Sequence, residues 1–96
     1  MVVEVFIKNI PFDADEDIVS RAVMDALSDA QHGDGVPKVG VVSLPYDRSR
    51  QRIRGFGFVT IQTGDLSADE AITAIFGAKI LNRTVHAERF IPRGER

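Results

Sequence analysis

The sequence contains no cysteine and no tryptophan among its 96 residues, and only two histidines. Without cysteine there can be no disulfide, no thiolate metal site and no cysteine nucleophile, and this composition fits an intracellular protein. The two histidines, His32 and His86, lie far apart in the chain, and neither has the spacing of a nucleophilic motif around it. We therefore expect a protein that is not an enzyme and that holds no metal or cofactor.

Long apolar runs are also missing, since no stretch approaches the roughly 20 residues of a membrane-spanning helix. Strand-like residues begin directly after Met1, so we expect no signal peptide and an intracellular location. A length of 96 residues suits one domain, and a hydrophobic content of 44% is enough for one core. We expect a monomeric domain over residues 1–90 and a short basic tail over residues 91–96.

The net charge is −2, which taken alone argues against binding to nucleic acid. The charges are unevenly distributed, however. Six acidic residues fall in or just before the first predicted helix, and four arginines fall within seven residues: Asp13, Asp15, Glu16, Asp17, Asp25, Asp29, and Arg48, Arg50, Arg52, Arg54. Because local potential directs docking more than net charge does, the arginine-rich segment can bind an anion on an acidic protein.

Residues 54–61 alternate between two kinds of side chain. In a strand, successive side chains point to opposite faces. One face then carries a cation, two rings and a hydroxyl, and the other carries small and aliphatic side chains: Arg54, Phe56, Phe58, Thr60, against Gly55, Gly57, Val59, Ile61. Helices can pack closely on the second face. Exposed rings beside a guanidinium suit a flat anionic partner, because bases stack on rings and a phosphate pairs with arginine.

A second alternating stretch lies near the start of the chain and ends before Pro11. It predicts a half-buried strand whose two faces carry Val3, Val5, Ile7 and Glu4, Phe6, Lys8. The alternative is that Phe6, Phe56 and Phe58 belong to the core. That interpretation is disfavoured, because burying the three rings would expose the aliphatic residues that alternate with them on both strands.

Residues 54–61 resemble the eight-residue signature of the RNA recognition motif family: Arg-Gly-Phe-Gly-Phe-Val-Thr-Ile stands where the family has Lys/Arg-Gly-Phe/Tyr-Gly/Ala-Phe-Val-x-Phe/Tyr. The departure is Ile61, which replaces an aromatic at a position that points into the core. Residues 5–10, Val-Phe-Ile-Lys-Asn-Ile, match the family's companion six-residue signature, with the aromatic in second place. The two signatures occur in the family's order, about fifty residues apart.

Two helices are predicted from capping boxes and apolar stripes. Asp13 with Glu16 indicates the start of a helix that runs to about Ala30, and Ser67 with Glu70 indicates another. Gly77 is placed to end the second helix in a left-handed conformation. The two stripes are Val19, Ala22, Val23, Ala26, Leu27 and Ala68, Ala71, Ile72, Ile75, Phe76.

The remaining segments predict two more strands. Residues 39–44 form a β-branched run typical of an edge strand, with Val42 and Leu44 inward, and residues 47–53 form a polar hairpin loop. Residues 85–90 predict a last strand, with His86, Glu88 and Phe90 on the sheet surface. The order strand–helix–strand–strand–helix–strand is the split βαβ arrangement. It implies a ferredoxin-like α+β fold with a four-stranded antiparallel sheet and both helices on one face. The family resemblance implies that the two signature strands lie side by side at the centre of that sheet.

The resemblance implies roles for five residues. Phe6 and Phe58 would each stack on one base, and Phe56 would pack against the sugars between them. Arg54 would pair with a phosphate, and Lys8 would reach the backbone or a base edge.

Further candidates are open between two interpretations. Arg50 and Arg52, like Arg48, either contact RNA or are simply solvated. His86 could hydrogen-bond a base. Phe90 either extends the aromatic surface or lies over Phe6 and partly covers it.

The implied function is binding of single-stranded RNA, with single-stranded DNA as a related ligand, through the exposed sheet face. The family acts in splicing, mRNA processing and other post-transcriptional regulation, as nuclear or cytoplasmic ribonucleoproteins. The alternative is a protein-interaction module of the same fold that uses its acidic helical face. Such relatives have lost the aromatic signature and carry Arg-x-Phe before the last strand. Here the signature is intact, and Arg83-Thr84-Val85 lacks the phenylalanine.

Overall fold

The computed structural model describes residues 2–31 and 33–90; His32 and the predicted basic tail lie outside these residues. The elements are β1 (Val2–Lys8), α1 (Glu16–Ala30), β2 (Lys38–Ser43), β3 (Tyr46–Asp47), β4 (Arg52–Ile53), β5 (Phe56–Gln62), α2 (Ala68–Ile75), β6 (Lys79–Ile80), β7 (Arg83–Thr84) and β8 (His86–Arg89). An antiparallel sheet has the order β2-β5-β1-β8. This topology confirms the predicted ferredoxin-like α+β fold.

The two signature strands, β1 and β5, are neighbours at the centre of the sheet, as predicted. Their register places Phe6 opposite Phe58 and Lys8 opposite Phe56. The aliphatic residues that alternate with the rings are fully buried and pack with both helices in one core cluster: Val3, Val5, Ile7, Val59, Ile61 from the sheet, Val19, Val23, Leu27 from α1, and Ala68, Ala71, Ile75 from α2. Both helices therefore cover the aliphatic face.

Helix α1 starts at a different cap from the one that the sequence predicted. Asp15, not Asp13, is the N-cap: its backbone is extended (φ −116°, ψ −179°) and its carboxylate accepts a 2.8 Å hydrogen bond from the Ile18 amide. The Ala14 amide donates to the Pro11 carbonyl at 3.1 Å, so Asp13 lies inside a turn that precedes the helix. The predicted box at Asp13 was wrong because this turn must close before the backbone can become helical.

Helix α2 begins with the predicted capping box. The Ser67 hydroxyl accepts from the Glu70 amide at 3.1 Å, and the Glu70 carboxylate accepts from the Ser67 amide at 2.8 Å. Gly77 adopts the predicted left-handed conformation, with φ +87°. Phe76 is the exception in the predicted stripe, since its side chain is 55% exposed. It is the C-cap, with an extended backbone (φ −62°, ψ 123°), so helical spacing no longer directs it to the core.

The aromatic strand begins at Phe56 rather than at Arg54. Gly55 has φ +86°, which interrupts the extended backbone, and the Arg54 amide donates to the Pro45 carbonyl at 3.0 Å. Strands β3 and β4 pair with each other around the turn at residues 48–51, in agreement with the hairpin loop predicted for residues 47–53. We call residues 46–53 the arginine hairpin, because Arg48, Arg50 and Arg52 lie in it.

Strand β2 agrees with the edge strand predicted for residues 39–44 in the burial of its side chains. Val42 and Leu44 are partly buried against the core, as predicted, although a bulge between Val39 and Val42 shifts the register of β2. Strands β6 and β7 pair in a short hairpin over residues 79–84, in which Asn82 adopts φ +70°. Within residues 2–31 and 33–90, neither helix is long and apolar enough to cross a membrane.

Candidate nucleic-acid interface

Three phenylalanine rings form a contiguous cluster on the sheet face opposite the helices. Phe6 stacks on Phe58, with ring centroids 5.2 Å apart and an interplanar angle of 29°. Phe56 meets Phe6 edge-on at 5.6 Å and Phe58 edge-on at 6.3 Å. All three side chains remain partly exposed. We call Phe6, Phe56 and Phe58 the aromatic platform.

The platform exists because the two central strands put their large side chains on the face that the helices leave uncovered. Residues opposite each other in an antiparallel pair bring their side chains into contact, and Phe6 and Phe58 are such a pair. Gly57 lies between two platform residues on the buried side. A Cβ placed there would lie 2.6 Å from Leu44 Cδ2 and 2.8 Å from the Ser43 carbonyl oxygen, so glycine allows β2 to pack close.

Phe90 adds a fourth ring at one end of the platform. Its centroid lies 4.9 Å from that of Phe58, at an interplanar angle of 67°. The Phe90 amide donates to the Glu4 carbonyl at 2.9 Å, which holds the residue beside β1 just after β8 ends. Of the two alternatives for Phe90, a ring that reaches Phe58 favours extension of the aromatic surface.

Lys8 is paired with an acid at the rim of the platform. Its Nζ lies 3.1 Å from Glu88 Oε1 and 5.9 Å from the centroid of Phe6. Both charged side chains are exposed. A phosphate that approaches Lys8 would therefore compete with the Glu88 carboxylate.

The arginine hairpin is ordered by Asp47. The Asp47 carboxylate accepts hydrogen bonds from the backbone amides of Ser49 and Arg50 at 3.0 and 3.3 Å. It also lies 3.8 Å from Arg50 Nε, although the Arg50 side chain is 68% exposed. The hairpin therefore presents cationic side chains from a defined turn.

A pocket of about 330 Å³ joins the arginine hairpin to the platform. We call it the hairpin pocket. Its walls include two aromatic residues, three arginines and one acid: Phe12, Phe56, Arg50, Arg52, Arg54 and Asp47. The structure thus brings the predicted residues Arg50, Arg52 and Arg54 together beside Phe56.

Phe12 is the residue that sequence reasoning missed. Its side chain is 43% exposed, and the guanidinium carbon of Arg52 lies 3.9 Å from its ring centroid. It stands in an irregular loop, where no periodicity predicts the direction of a side chain. The available signal was a large aromatic directly after a strand-ending proline, in a position with no place in either apolar stripe.

His86 contacts a ring that is not part of the aromatic platform. It is on β8 opposite Lys8, and its ring stacks on Phe76 at 5.1 Å with an interplanar angle of 9°. The residue is nevertheless exposed. Contact between His86 and a base stays a prediction.

The helical side carries a different cavity, of about 450 Å³, beside the ends of α1 and α2. Alanines from both helices line it, together with Phe76, two acids, Asp25 and Asp29, and one cation, Lys79. The exposed ring and the two carboxylates suit a basic, partly apolar partner.

No family model matches the chain. Proteins of similar sequence are found in cyanobacteria and chloroplasts. RbpA of Synechocystis sp., whose name describes an RNA-binding protein, is 34% identical over 96% of this chain and 80% of its own length. RbpE of Nostoc sp., similarly named, is 40% identical over 57% of this chain and 54% of its length. The spinach chloroplastic 28 kDa ribonucleoprotein is 31% identical over 95% of this chain. The chain spans only 34% of that ribonucleoprotein.

Solved structures share the fold at lower identity. The RNA-binding domain of Hrp1, determined in complex with RNA, has a TM-score of 0.65 and 20% identity over 97% of this chain and 48% of that one. The first two RRM domains of the yeast poly(U)-binding protein Pub1 give a TM-score of 0.64 and 16% identity. That match covers 95% of this chain and 48% of Pub1's.

Proposed function

The chain belongs to the RNA recognition motif family, and from this premise we propose that it binds single-stranded RNA through the aromatic platform. The observation that carries the proposal is a cluster of three mutually contacting rings on the sheet face that the helices do not cover. Every base has a flat π-face, so stacking on such rings tolerates any sequence, and it contributes about 1–3 kcal/mol per base. The proposed activity is binding without catalysis, by a monomer.

The proposed roles are those that the family resemblance implies, and the geometry is compatible with them. Phe6 and Phe58 stack on successive bases, and Phe56, which stands edge-on to both, packs against the sugars that link them. Arg54 is exposed two residues before β5 and pairs with a phosphate. Lys8 contacts the backbone or a base edge once it exchanges Glu88 for the ligand.

Four further residues complete the proposed interface. Arg50 and Arg52 supply cations beside Phe56, and Phe90 extends the stacking surface beyond Phe58. His86 can hydrogen-bond a base from its place on β8. A single strand of DNA has the same stacking faces and phosphates and is expected to bind through the same residues.

The cellular role is proposed from the relatives. The sequence suggested nuclear splicing or mRNA processing, but the relatives are cyanobacterial and chloroplastic by name, which does not support a nuclear location. We propose a role in post-transcriptional regulation outside the nucleus.

The test measures RNA affinity and thermal stability on the same variant. Phe58→Ala should weaken binding to a labelled random-sequence pool of single-stranded RNA by about five- to 150-fold, which corresponds to one lost stacking contact. Its melting temperature should stay close to that of the unmodified protein, because a ring on the open sheet face fills no cavity. Single-stranded DNA of the same length serves as the comparison ligand.

Ile61→Ala is the matched control. Ile61 is on the same strand but fully buried, so this variant should lose roughly 2–5 kcal/mol of stability. At temperatures where it is folded, it should bind RNA normally. A Phe58→Ala variant with unchanged binding and unchanged melting would contradict the proposal.

In that case a protein-interaction role would become the leading hypothesis. The cavity beside α1 and α2, with Phe76, Asp25 and Asp29 around it, favours a basic partner with an apolar anchor. Removal of both carboxylates should then abolish binding of a basic peptide while leaving RNA binding unchanged.

A further inference from the structure

We propose that the groove between β2 and the start of α1 binds an extended segment of a partner protein, which adds a strand to the sheet and places a lysine or arginine against Glu16. We call it the edge groove. Its volume is about 510 Å³, and six lining residues decide its chemistry: Asp15, Glu16, Val41, Leu44, Tyr46 and Ile53. It shares no lining residue with the aromatic platform or with the cavity beside the helix ends, so this binding goes beyond the proposed contact with RNA.

The outer edge of β2 is open to another strand. The order β2-β5-β1-β8 makes β2 the last strand on its side of the sheet, with β5 as its neighbour. Within residues 2–31 and 33–90, no strand pairs with the other side of β2. Such an edge presents unpaired backbone N–H and C=O groups, which an extended peptide can use to add a strand.

A bulge determines how long that added strand can be. The register of β2 with β5 shifts between Val39 and Val42, and Val41 within the bulge is 69% exposed. Because a bulge bends and twists an edge, it disfavours pairing with a long flat strand. The expected occupant is therefore a short segment that pairs with β2 beyond the bulge, where residues 42–43 line the edge groove.

The apolar side chains of the groove come from β2, the residue after it, and the paired strands of the arginine hairpin. Val41 and Tyr46 are exposed, whereas Leu44 and Ile53 are partly buried against the core. Tyr46 pairs with Ile53 across β3 and β4, which fixes its position beside the groove. A partner that covers Val41 and the Tyr46 ring removes apolar surface from water, which favours binding.

The charge of the groove selects a basic partner. Its described lining residues include two acids, Asp15 and Glu16, and no lysine or arginine. The Asp15 carboxylate already accepts a hydrogen bond from the Ile18 amide. Glu16 is exposed and forms no ion pair with another residue of the described ranges 2–31 and 33–90. The Glu16 carboxylate is therefore the group that a cation of the partner can pair with.

A lysine or arginine suits both the apolar and the acidic parts of the groove. Its aliphatic stem can lie along apolar side chains while its charged end stays in water at the carboxylate. The Tyr46 ring adds a face that attracts a cation. RNA, by contrast, would bring its phosphates against two carboxylates. The competing interpretation is that Glu16 only stabilises the positive start of α1, which predicts no peptide binding.

The probe is a displayed pool of random peptides of about six residues, the usual length of a strand, selected on the full chain. The recovered peptides should be enriched in lysine or arginine. Val41→Lys should abolish their binding, because it adds a like charge at the pairing edge. Val36→Lys adds the same charge at an exposed position that does not line the groove, and should bind the peptides normally.

Glu16→Gln should weaken a selected peptide by roughly 1.4- to fivefold, the range for one exposed ion pair. Asp17→Asn is the matched control, because it removes the same charge from the first turn of α1 but not from the groove. It should leave the affinity for the peptide unchanged. Phe58→Ala should also bind the peptide normally, so failure of this inference is distinguishable from failure of the proposed RNA binding.

N-methylation of the peptide tests the added strand. Alternate backbone amides of a strand bond to the same neighbour, so methylation of one alternate set should abolish binding and methylation of the other should not. The inference is overturned if no peptide is enriched over the Val41→Lys background, if the enriched peptides lack basic residues, or if both methylated sets bind alike. Equal effects of Glu16→Gln and Asp17→Asn would also overturn it. So would a dimer in sedimentation that Val41→Lys dissociates, because the occupant would then be a second copy of this chain.

Discussion

Lys8 and Glu88 form an ion pair between neighbouring strands at the rim of the aromatic platform, with Nζ and Oε1 3.1 Å apart. Because both side chains are exposed, the pair contributes only about 0–1 kcal/mol to stability. The pair also affects the binding of a ligand. The Glu88 carboxylate is paired with the Lys8 ammonium group. It therefore places a negative charge where the phosphates of RNA would approach.

Glu88→Gln should therefore tighten RNA binding. The Glu88 carboxylate competes with an RNA phosphate for Lys8, at a cost of about 0.2–1 kcal/mol. Its removal should therefore raise the RNA affinity roughly 1.4- to fivefold. This gain should shrink as the salt concentration increases. Titration at low and at high salt measures it. Asp25→Asn changes the net charge equally on the helical side and should have a smaller effect. Weaker binding by Glu88→Gln would instead mean that this carboxylate accepts a hydrogen bond from a base.

Arg50→Ser should make binding less dependent on salt. If Arg50 contacts one phosphate, the slope of log affinity against log salt should fall in magnitude by about 0.7, as expected for a single strand. Arg21→Ser removes the same charge from an exposed position on α1 and should leave the slope unchanged. Equal slopes for both variants would show that Arg50 is only solvated.

Phe90→Ala should weaken RNA binding by about two- to 12-fold. An edge-to-face ring pair contributes about 0.5–1.5 kcal/mol, and here it orients Phe58 and enlarges the stacking surface. The variant is compared with Leu81→Ala, which removes an exposed apolar side chain from the turn between β6 and β7 and should bind RNA normally. Tighter binding by Phe90→Ala would identify the ring as a cover over the platform.

Gly57→Ala should destabilise the fold by about 1–3 kcal/mol, because the added Cβ would overlap Leu44 and the Ser43 carbonyl. For a domain of this size, each kcal/mol lowers the melting temperature by roughly 4–8 °C. The double variant with Leu44→Ala should not recover this loss, since the Ser43 contact is to backbone and Leu44 itself packs on the core. An unchanged melting temperature for Gly57→Ala would show that β2 can shift without loss.

The platform could be predicted from the sequence because strand parity is a local rule. In β1 and β5 every second side chain is aliphatic, and burial of that set leaves Phe6, Phe56 and Phe58 on the other face. The pairing of β1 with β5 is not local, and only the family resemblance predicted it. The second capping box was also predictable, since Ser67 and Glu70 satisfy each other's amides without help from the rest of the chain.

The features that the sequence did not predict depend on contacts between distant residues or on irregular backbone. Lys8 and Glu88 are 80 positions apart, and Phe12 meets Arg52 across 40 positions, from an irregular loop. The cap at Asp15 depends on a turn that no periodicity marks. Phe76 matched the helical stripe, but the helix had already ended there.

The mutual packing of the platform rings has a consequence for the rates of binding. The three rings contact one another and belong to the two central strands of the sheet. The side chains should therefore rearrange little before a base stacks on them. The arginine hairpin carries charges that attract RNA from a distance, and such charges act mainly on the association rate. Ring variants should therefore shorten the lifetime of the complex, whereas arginine variants should slow its formation.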